Sequence, residues 1–416
     1  MFDRDNWQEI FATIRKNRLR TFLTCLGVGW GIFMLVIMLG AGNGLKNGIM
    51  QDFAGTATNS FFMWAQKTNK PYKGMKPGRN FNFNNGDAIA LNNMKELAVV
   101  SPQNQLGGHE QSISVVRGLK TGSFQIVGVY PNLADILYVD IKSGRFLNEN
   151  DIKEKRKVCV IGTHVKESLF AKGEDPLGKY IRINGVYFKV IGCTNPWGNG
   201  DRAREDAERI MTPFSTFQNS FNYGDVVGWF AIAAKPSIPA EVAEKMAIAI
   251  VKERHKVAPD DDLAVGHWNM GVQYKRMSGL FTGINSLVWF VGIGTLIAGV
   301  IGISNIMLII VKERTREIGV KRALGAEPLR VIFQIIMESV FLTILAGYIG
   351  MLIGLVLLEG LNTALGEGGA MFKNPTVDLF GVFQSLAILI VFGALAGLIP
   401  AIRAVSINPV EALRAE

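Results

Sequence analysis

The chain has 416 residues, 49% of them hydrophobic and only 19% charged, with a formal net charge of +9. So apolar a composition is unusual for a soluble protein and directs attention to membrane spans. The basic residues form no patch interleaved with aromatics, so the charge is no nucleic-acid footprint and no nucleic-acid partner is expected.

In chain order, Asp5–Ile14 reads as a short amphipathic helix on the inner leaflet. Trp7, Ile10, Phe11 and Ile14 share one face, Asp5 with Gln8 resembles a capping box, and a basic stretch follows. Phe22–Gly42 is uncharged. A signal peptide has a shorter apolar core of roughly 7–15 residues, so this is a retained first span. Leu45, Ile49 and Phe53 continue its apolar stripe beyond the membrane as a stalk. The middle of the chain reads as an α+β domain. Its candidate strands are Phe61–Ala65, Ser112–Val116, Phe124–Tyr130, Lys157–Gly162, Tyr180–Gly192 with a hairpin turn at Asn184-Gly185, and Val226–Ala233. A helix starts at Pro239 and ends at Lys256, with Lys252, Arg254 and Lys256 in its last turns. Residues Lys67–Asp87 are turn-rich and read as a surface loop, and a division into two lobes is expected near residues 100–125. Cys159 and Cys193 lie in strand-like apolar runs, and buried free thiols are favoured over a disulfide.

Leu280–Val311 is again uncharged, and at about 1.5 Å per residue it outruns a hydrocarbon core of about 30 Å, so its surplus is a second stalk. The stretch Val311–Arg330 then carries six Lys/Arg and three Glu. Glu317 and Lys321 are an i, i+4 pair in the favourable order, Gly325 stands where a C-cap belongs and Pro328 can open the next helix. Uncharged runs return between Glu338 and Glu359 and from Leu379 to Ile402. Four such runs disfavour buried core helices of a soluble protein. Arg4, Arg15, Lys16, Arg18 and Arg20 precede the first span, six Lys/Arg separate the second and third, only Lys373 separates the third and fourth, and Arg403 and Arg414 follow the fourth. By the positive-inside rule both termini and the charged stretch are cytoplasmic. The segment between spans one and two is then outside; its 30 Lys/Arg against 23 Asp/Glu do not oppose this, because long domains cross regardless of charge.

No G-x-x-x-x-G-K-[ST], H-E-x-x-H or G-x-S-x-G occurs, the four histidines are scattered and no Cys/His cluster has metal spacing. No catalytic residue, metal site or cofactor is expected in this chain. The one charge within the spans is Glu338, read as structural and bonded between helices, and Asn305 is read as a second buried polar residue. Small-xxx-small spacing at Gly27/Gly31, Gly294/Gly302 through Ala298, Gly350/Gly354 and Gly393/Gly397 points to close helix packing. Nothing marks a polar route through the bilayer. The charged stretch is more than an anchor: its interspersed Glu313 and Glu317 make a rigid mixed-charge knob suited to docking a partner.

The stretch "NIMLIIVKERTREIGVKRALGA" resembles the signature of MacB/FtsX-type ABC transporter permeases. The ending "GLIPAIRAVSINPVEALRAE", the first span "RKNRLRTFLTCLGVGWGIFMLVIMLGAGNGL" and "DPLGKYIRINGVYFKVIG" resemble other parts of the same family, while Asn59–Gly108 matches nothing in it. The resemblance implies a multi-pass protein of the bacterial inner membrane: four transmembrane α-helices with a large extracytoplasmic (periplasmic) α+β domain on a helical stalk between spans one and two. It implies a homodimer or a heterodimer with a related permease, and a cytoplasmic ABC ATPase subunit that binds ATP and Mg. A periplasmic adaptor and an outer-membrane channel are further partners it suggests. In MacB the ATPase is fused at the N-terminus, and here it is expected in a separate subunit. Glu313, Arg314, Arg316, Glu317, Ile318, Lys321 and Leu324 would couple to that ATPase. The expected organisation is a cytoplasmic amphipathic helix (1–20), a first span (21–44), the outer domain with stalk ends (45–279), a second span and stalk (280–311), the coupling helix (312–330), a third span (331–358), a short outer loop (359–378), a fourth span (379–402) and a cytoplasmic tail (403–416). Efflux of periplasmic substrates is the leading reading. An FtsX-like regulator of cell-wall hydrolases, Lol-like lipoprotein extraction and, more distantly, a sensor receptor are the alternatives.

Overall fold

Period-2 burial patterns build the middle of this chain and long apolar helices its two ends. The computed structural model describes residues 18–107, 113–198, 201–365, 372, 373, 375 and 379–406. The expected amphipathic helix at Asp5–Ile14 and the tail beyond 406 lie outside the described residues. The chain forms two units: Ile49–Ser278, and Met1–Gly48 together with Gly279–Glu416.

The middle unit begins within the last turns of α1 (Arg18–Ala54) and contains β1 (Ser60–Ala65), β2 (Phe83–Asn84), α2 (Asn85–Asn92), β3 (Leu97–Gln105), β4 (Ile113–Arg117), β5 (Lys120–Val129), β6 (Asp140–Gly144), α3 (Glu149–Lys153), β7 (Val158–Gly162), α4 (Thr163–Leu169), β8 (Tyr180–Ile183), β9 (Val186–Asn195), α5 (Asp201–Glu208), β10 (Arg209–Pro213), α6 (Phe214–Ser220), β11 (Val226–Val227), β12 (Trp229–Ala234), α7 (Ala240–Arg254) and β13 (Val265–Asn269). Asn184 and Gly185 both have positive φ, as a two-residue hairpin between β8 and β9 requires. β10 lies parallel to β5 and antiparallel to β7, which closes β10-β7-β9-β8-β4-β5 into a ring. Alternate residues fill that ring, among them Phe124, Ile161, Ile183, Phe188 and Ile210, with Cys159 and Cys193 buried as free thiols. Burial alone pushes the Cys159 thiol far up from its ordinary range.

A second core lies under β3, β12, β1 and β13, where α7 contributes Ala243, Ala247 and Val251 at helical spacing. The chain crosses from one lobe to the other within β3, in the expected 100–125 region, but it returns at β12, so a single boundary does not separate the lobes. The four-stranded part draws on residues from both sides of the ring. β3 joins the two: Leu97–Gln103 pairs with β12, and Asn104–Gln105 pairs with β5. The turn-rich 67–87 stretch also holds β2, which pairs with β11. The buried Asp151 carboxylate is opposed by desolvation, yet the guanidinium of Arg145 at 2.6 Å, the Asn148 N–H and Arg156 hold its pKa below the ordinary value.

The last strand passes into α8 (Met270–Glu313) without an intervening residue; α9 (Thr315–Ala323), α10 (Pro328–Leu365) and α11 (Leu379–Ser406) follow. Asn269 caps α8 by accepting from the Val272 N–H, and its amide donates to the buried Glu244, which also bonds His267. Among the described residues four helices, α1, α8, α10 and α11, carry segments long and apolar enough to cross a membrane. Their shared core includes Val28, Ile32, Leu296, Ile303, Met307, Ile335, Leu342 and Ala396.

Glycines set how closely these helices meet. A Cβ placed on Gly350 would stand 2.1 Å from the Gly29 carbonyl oxygen, and one on Gly354 would meet Val36 at 2.9 Å. Gly393 and Gly397 lie against Thr343 and Ser339, and Gly31 lies by Thr295. The other expected packing glycines are corrected: Gly27, Gly294 and Gly302 have nothing within 4 Å, while Gly29, Gly292 and Gly299 make the close approaches. At about 100° per residue, a shift of two positions turns a glycine about 160° from its former direction, and a shift of three turns it about 60°. Asn305 is corrected likewise. It is exposed, and its neighbour Ser304 takes the buried position.

Candidate functional site

The charged stretch between α8 and α10 folds as α9, bounded by two breaks that its residues dictate. At the first, Arg314 leaves helical geometry (φ −99°, ψ 12°). At the second, Gly325 takes φ +96°, its N–H bonding the Arg322 carbonyl and the Ala326 N–H bonding the Lys321 carbonyl. This is a Schellman stop, which needs a residue tolerant of the left-handed region. Pro328 then occupies the first position of α10, where its missing N–H costs nothing.

Three contacts fix α9 to the helices around it. Arg314 Nη1 lies 3.6 Å from Oε2 of Glu338, a residue of α10 with only 4% exposure. Ile318 packs on the shared helix core, and Arg322 donates to the Val405 carbonyl of α11. Glu317 bridges Arg314 at 3.8 Å and Lys321 at 3.7 Å, which stiffens the outer side of the helix. The expected set therefore divides. Arg314, Ile318 and Lys321 are half-buried, whereas Glu313, Arg316, Glu317 and Leu324 are exposed.

Leu324 is 83% exposed and Leu329, just beyond the glycine stop, 75%. Phe333 is also exposed. Phe333 was missed in the sequence because it lies in the run assigned to the third span (331–358), and Leu329 was placed within the coupling segment (312–330) without a role of its own. Arg322 was counted only as a topological charge. The exposed side thus combines Arg316 with apolar groups, a composition suited to protein–protein contact. No group of three or more metal-ligating side chains occurs among the described residues.

Two family matches cover nearly all of this architecture. Residues 21–249 match the MacB-like periplasmic core domain, and residues 289–409 match the FtsX-like permease C-terminal domain. The chain belongs to the MacB/FtsX-type ABC transporter permeases. This permease is 29% identical over 400 residues to the pyoverdine export ATP-binding/permease protein PvdT of Pseudomonas entomophila, covering 96% of this chain and 58% of that protein. It is 28% identical over 357 residues to the macrolide export ATP-binding/permease protein MacB of Aggregatibacter actinomycetemcomitans, covering 85% of this chain and 53% of that protein. The chain thus spans less than two thirds of the length of these relatives. Among solved structures it resembles the periplasmic region of MacB from Actinobacillus actinomycetemcomitans, at 22% identity and a TM-score of 0.44, covering 55% of this chain and 97% of that one. The unit between the first and second spans is accordingly an extracytoplasmic domain of this family, and the permease is a multi-pass membrane protein.

Proposed function

We propose that this permease turns ATP hydrolysis by a separate cytoplasmic ABC subunit, which binds the ATP and Mg, into movement of its extracytoplasmic domain, and that this movement drives efflux of periplasmic substrates. The observation that carries the reading is the two-sided build of α9. One side is held by Glu338 and Val405 on the third and fourth helices, and the other presents Arg316 and Leu324. A push on the exposed side is delivered to two membrane helices at once. In this reading the chain sits in the inner membrane with both termini and α9 cytoplasmic. It works as a homodimer or with a related permease, and a periplasmic adaptor and outer-membrane channel are candidate further partners. The export for which PvdT and MacB are named supports efflux over the regulatory and lipoprotein-extraction alternatives.

The test is the paired change Arg316→Glu with Leu324→Asp in the permease co-expressed with its ATPase. Neither side chain is used to hold α9 in place. ATPase stimulation by the reconstituted permease is expected to fall at least tenfold while the permease alone keeps its melting temperature. Unchanged assembly and stimulation refute the reading.

A further inference from the structure

The domain between the first and second spans holds a cavity of about 350 Å³ that no step of the proposed coupling uses. It lies among the segment after α1, the 136–140 loop, β9, α5, β10 and the start of α8, all within one unit. Its volume is at the lower end for small-molecule sites, and its mix of apolar wall and few polar groups is their usual composition. Phe62, Leu133 and Met211 supply the wall.

Three polar features select the ligand. Asp140 accepts from the Asn195 side-chain amide at 2.9 Å, and among the described residues no Lys or Arg pairs with it. The other carboxylates here are provided for, since Arg209 lies 3.1 Å from Asp206 and 3.8 Å from Glu205. Tyr138 lines the same cavity two residues before Asp140, half-exposed and packed on Trp197 at 4.2 Å between centroids. An ionised carboxylate beside an aromatic ring is a receptor for an organic cation. Arg209, also in the wall, has its Nε buried with no acceptor, a deficit that an oxygen on the ligand would relieve.

We propose that this cavity binds a small amphipathic amine, with its protonated nitrogen between Asp140 and Tyr138 and an apolar body carrying one acceptor oxygen against Phe62, Leu133, Met211 and Arg209. The cavity is too small for bulky cargo, so the ligand is an effector. The loop that contacts it is tied to the exit of α1, because Ala57 N–H donates to the Ile136 carbonyl at 2.8 Å and Tyr138 N–H to the Gly55 carbonyl at 2.9 Å. Thr56 and Met270, at the outer ends of the first and second long helices, line the cavity as well. An occupant therefore stiffens the two points where the chain leaves and re-enters its apolar helices. The inference stands apart from the coupling reading and does not need an ATPase.

Equilibrium dialysis of the full chain in phosphatidylcholine nanodiscs tests it, with propranolol as the aryloxy-amine probe and naphthoxyacetate as its anionic counterpart. Saturable propranolol binding above that of empty nanodiscs is expected, at one site per chain, with naphthoxyacetate much weaker. Asp140→Asn, which keeps the acceptor for Asn195, should weaken it at least tenfold. Tyr138→Ala should also weaken it, and the exposed Glu167→Gln should not. A melting temperature matching wild type separates lost binding from lost fold for either cavity variant. Binding no greater than to empty nanodiscs, equal binding of the anion, or an unaltered affinity in folded Asp140→Asn or Tyr138→Ala overturns the proposal.

Discussion

The closest helix crossing offers the sharpest test of the apolar unit. Changing Gly350 to Ala places a methyl group 2.1 Å from the Gly29 carbonyl oxygen, 2.9 Å from its carbonyl carbon and 3.0 Å from its Cα. All three are backbone atoms, so no side chain can swing aside. Ordinary contact begins at 3.4 Å, so α1 and α10 must part by the difference, 3.4 − 2.1 = 1.3 Å, at this level. Such overpacking costs about 1–3 kcal/mol, or about 5- to 150-fold in a folding equilibrium. Ala also gains up to about 1 kcal/mol of helix propensity over Gly, which masks part of the cost. Gly302→Ala removes that ambiguity, because it gains the same propensity in α8 with nothing within 4 Å. The comparison is made by SDS titration of both variants in mixed micelles, read from tryptophan fluorescence. Gly350→Ala is expected to unfold at the lower SDS fraction, with the two differing by about 1–3 kcal/mol. Coincident transitions would refute a close contact between Gly29 and Gly350.

Two further outcomes follow from residues outside the spans. Gly325→Ala has room for the methyl but must adopt φ +96°, which costs about 1–2 kcal/mol for a non-glycine residue; hydrogen exchange at the Gly325 and Ala326 amides should accelerate about 5- to 30-fold, and unchanged protection would contradict the Schellman stop. The folded-state pKa of Asp151 lies below its unfolded value of about 3.9, so its ion pairs stabilise the domain above that pH and the benefit is lost as pH falls through the folded pKa. The melting deficit of Asp151→Asn relative to wild type should therefore be largest at neutral pH and shrink below about pH 4; a deficit independent of pH would contradict the sign.

The spans were legible because about 20 consecutive apolar residues have few other uses. The C-terminal stop of α9 and the start of α10 were legible too, since Gly325 and Pro328 act through their own backbones, whereas the break at Arg314 was not: the expected helix began at 312. So was the β8–β9 hairpin, whose Asn-Gly pair carries its own conformational preference. Which glycine faces which helix was not legible. Gly27, Gly29 and Gly31 alternate along α1, and only the partner's surface decides among them. β3 escaped notice because Pro102 and four polar residues follow its apolar start, a pattern that argues against an interior strand. α5 has no apolar stripe and gave no helical period. The pairing of Glu338 with Arg314 joins residues from separate helices, and Asp140 meets Tyr138 and Arg209 only through the fold. Such constellations leave no local signature.

The shared strand β3 has a mechanical meaning. Its bonds to β12 and to β5 lie across the strand direction, as in any antiparallel ladder. Tension along the strands would load the β3–β12 bonds in parallel, so they would resist together and would not open one after another. Pulling across the strands would instead load the ladder bonds singly, with the β3–β5 ladder, two residue pairs at Asn104–Gln105, the shorter of the two. The β3–β12 ladder is therefore stiffer along the strands than across them.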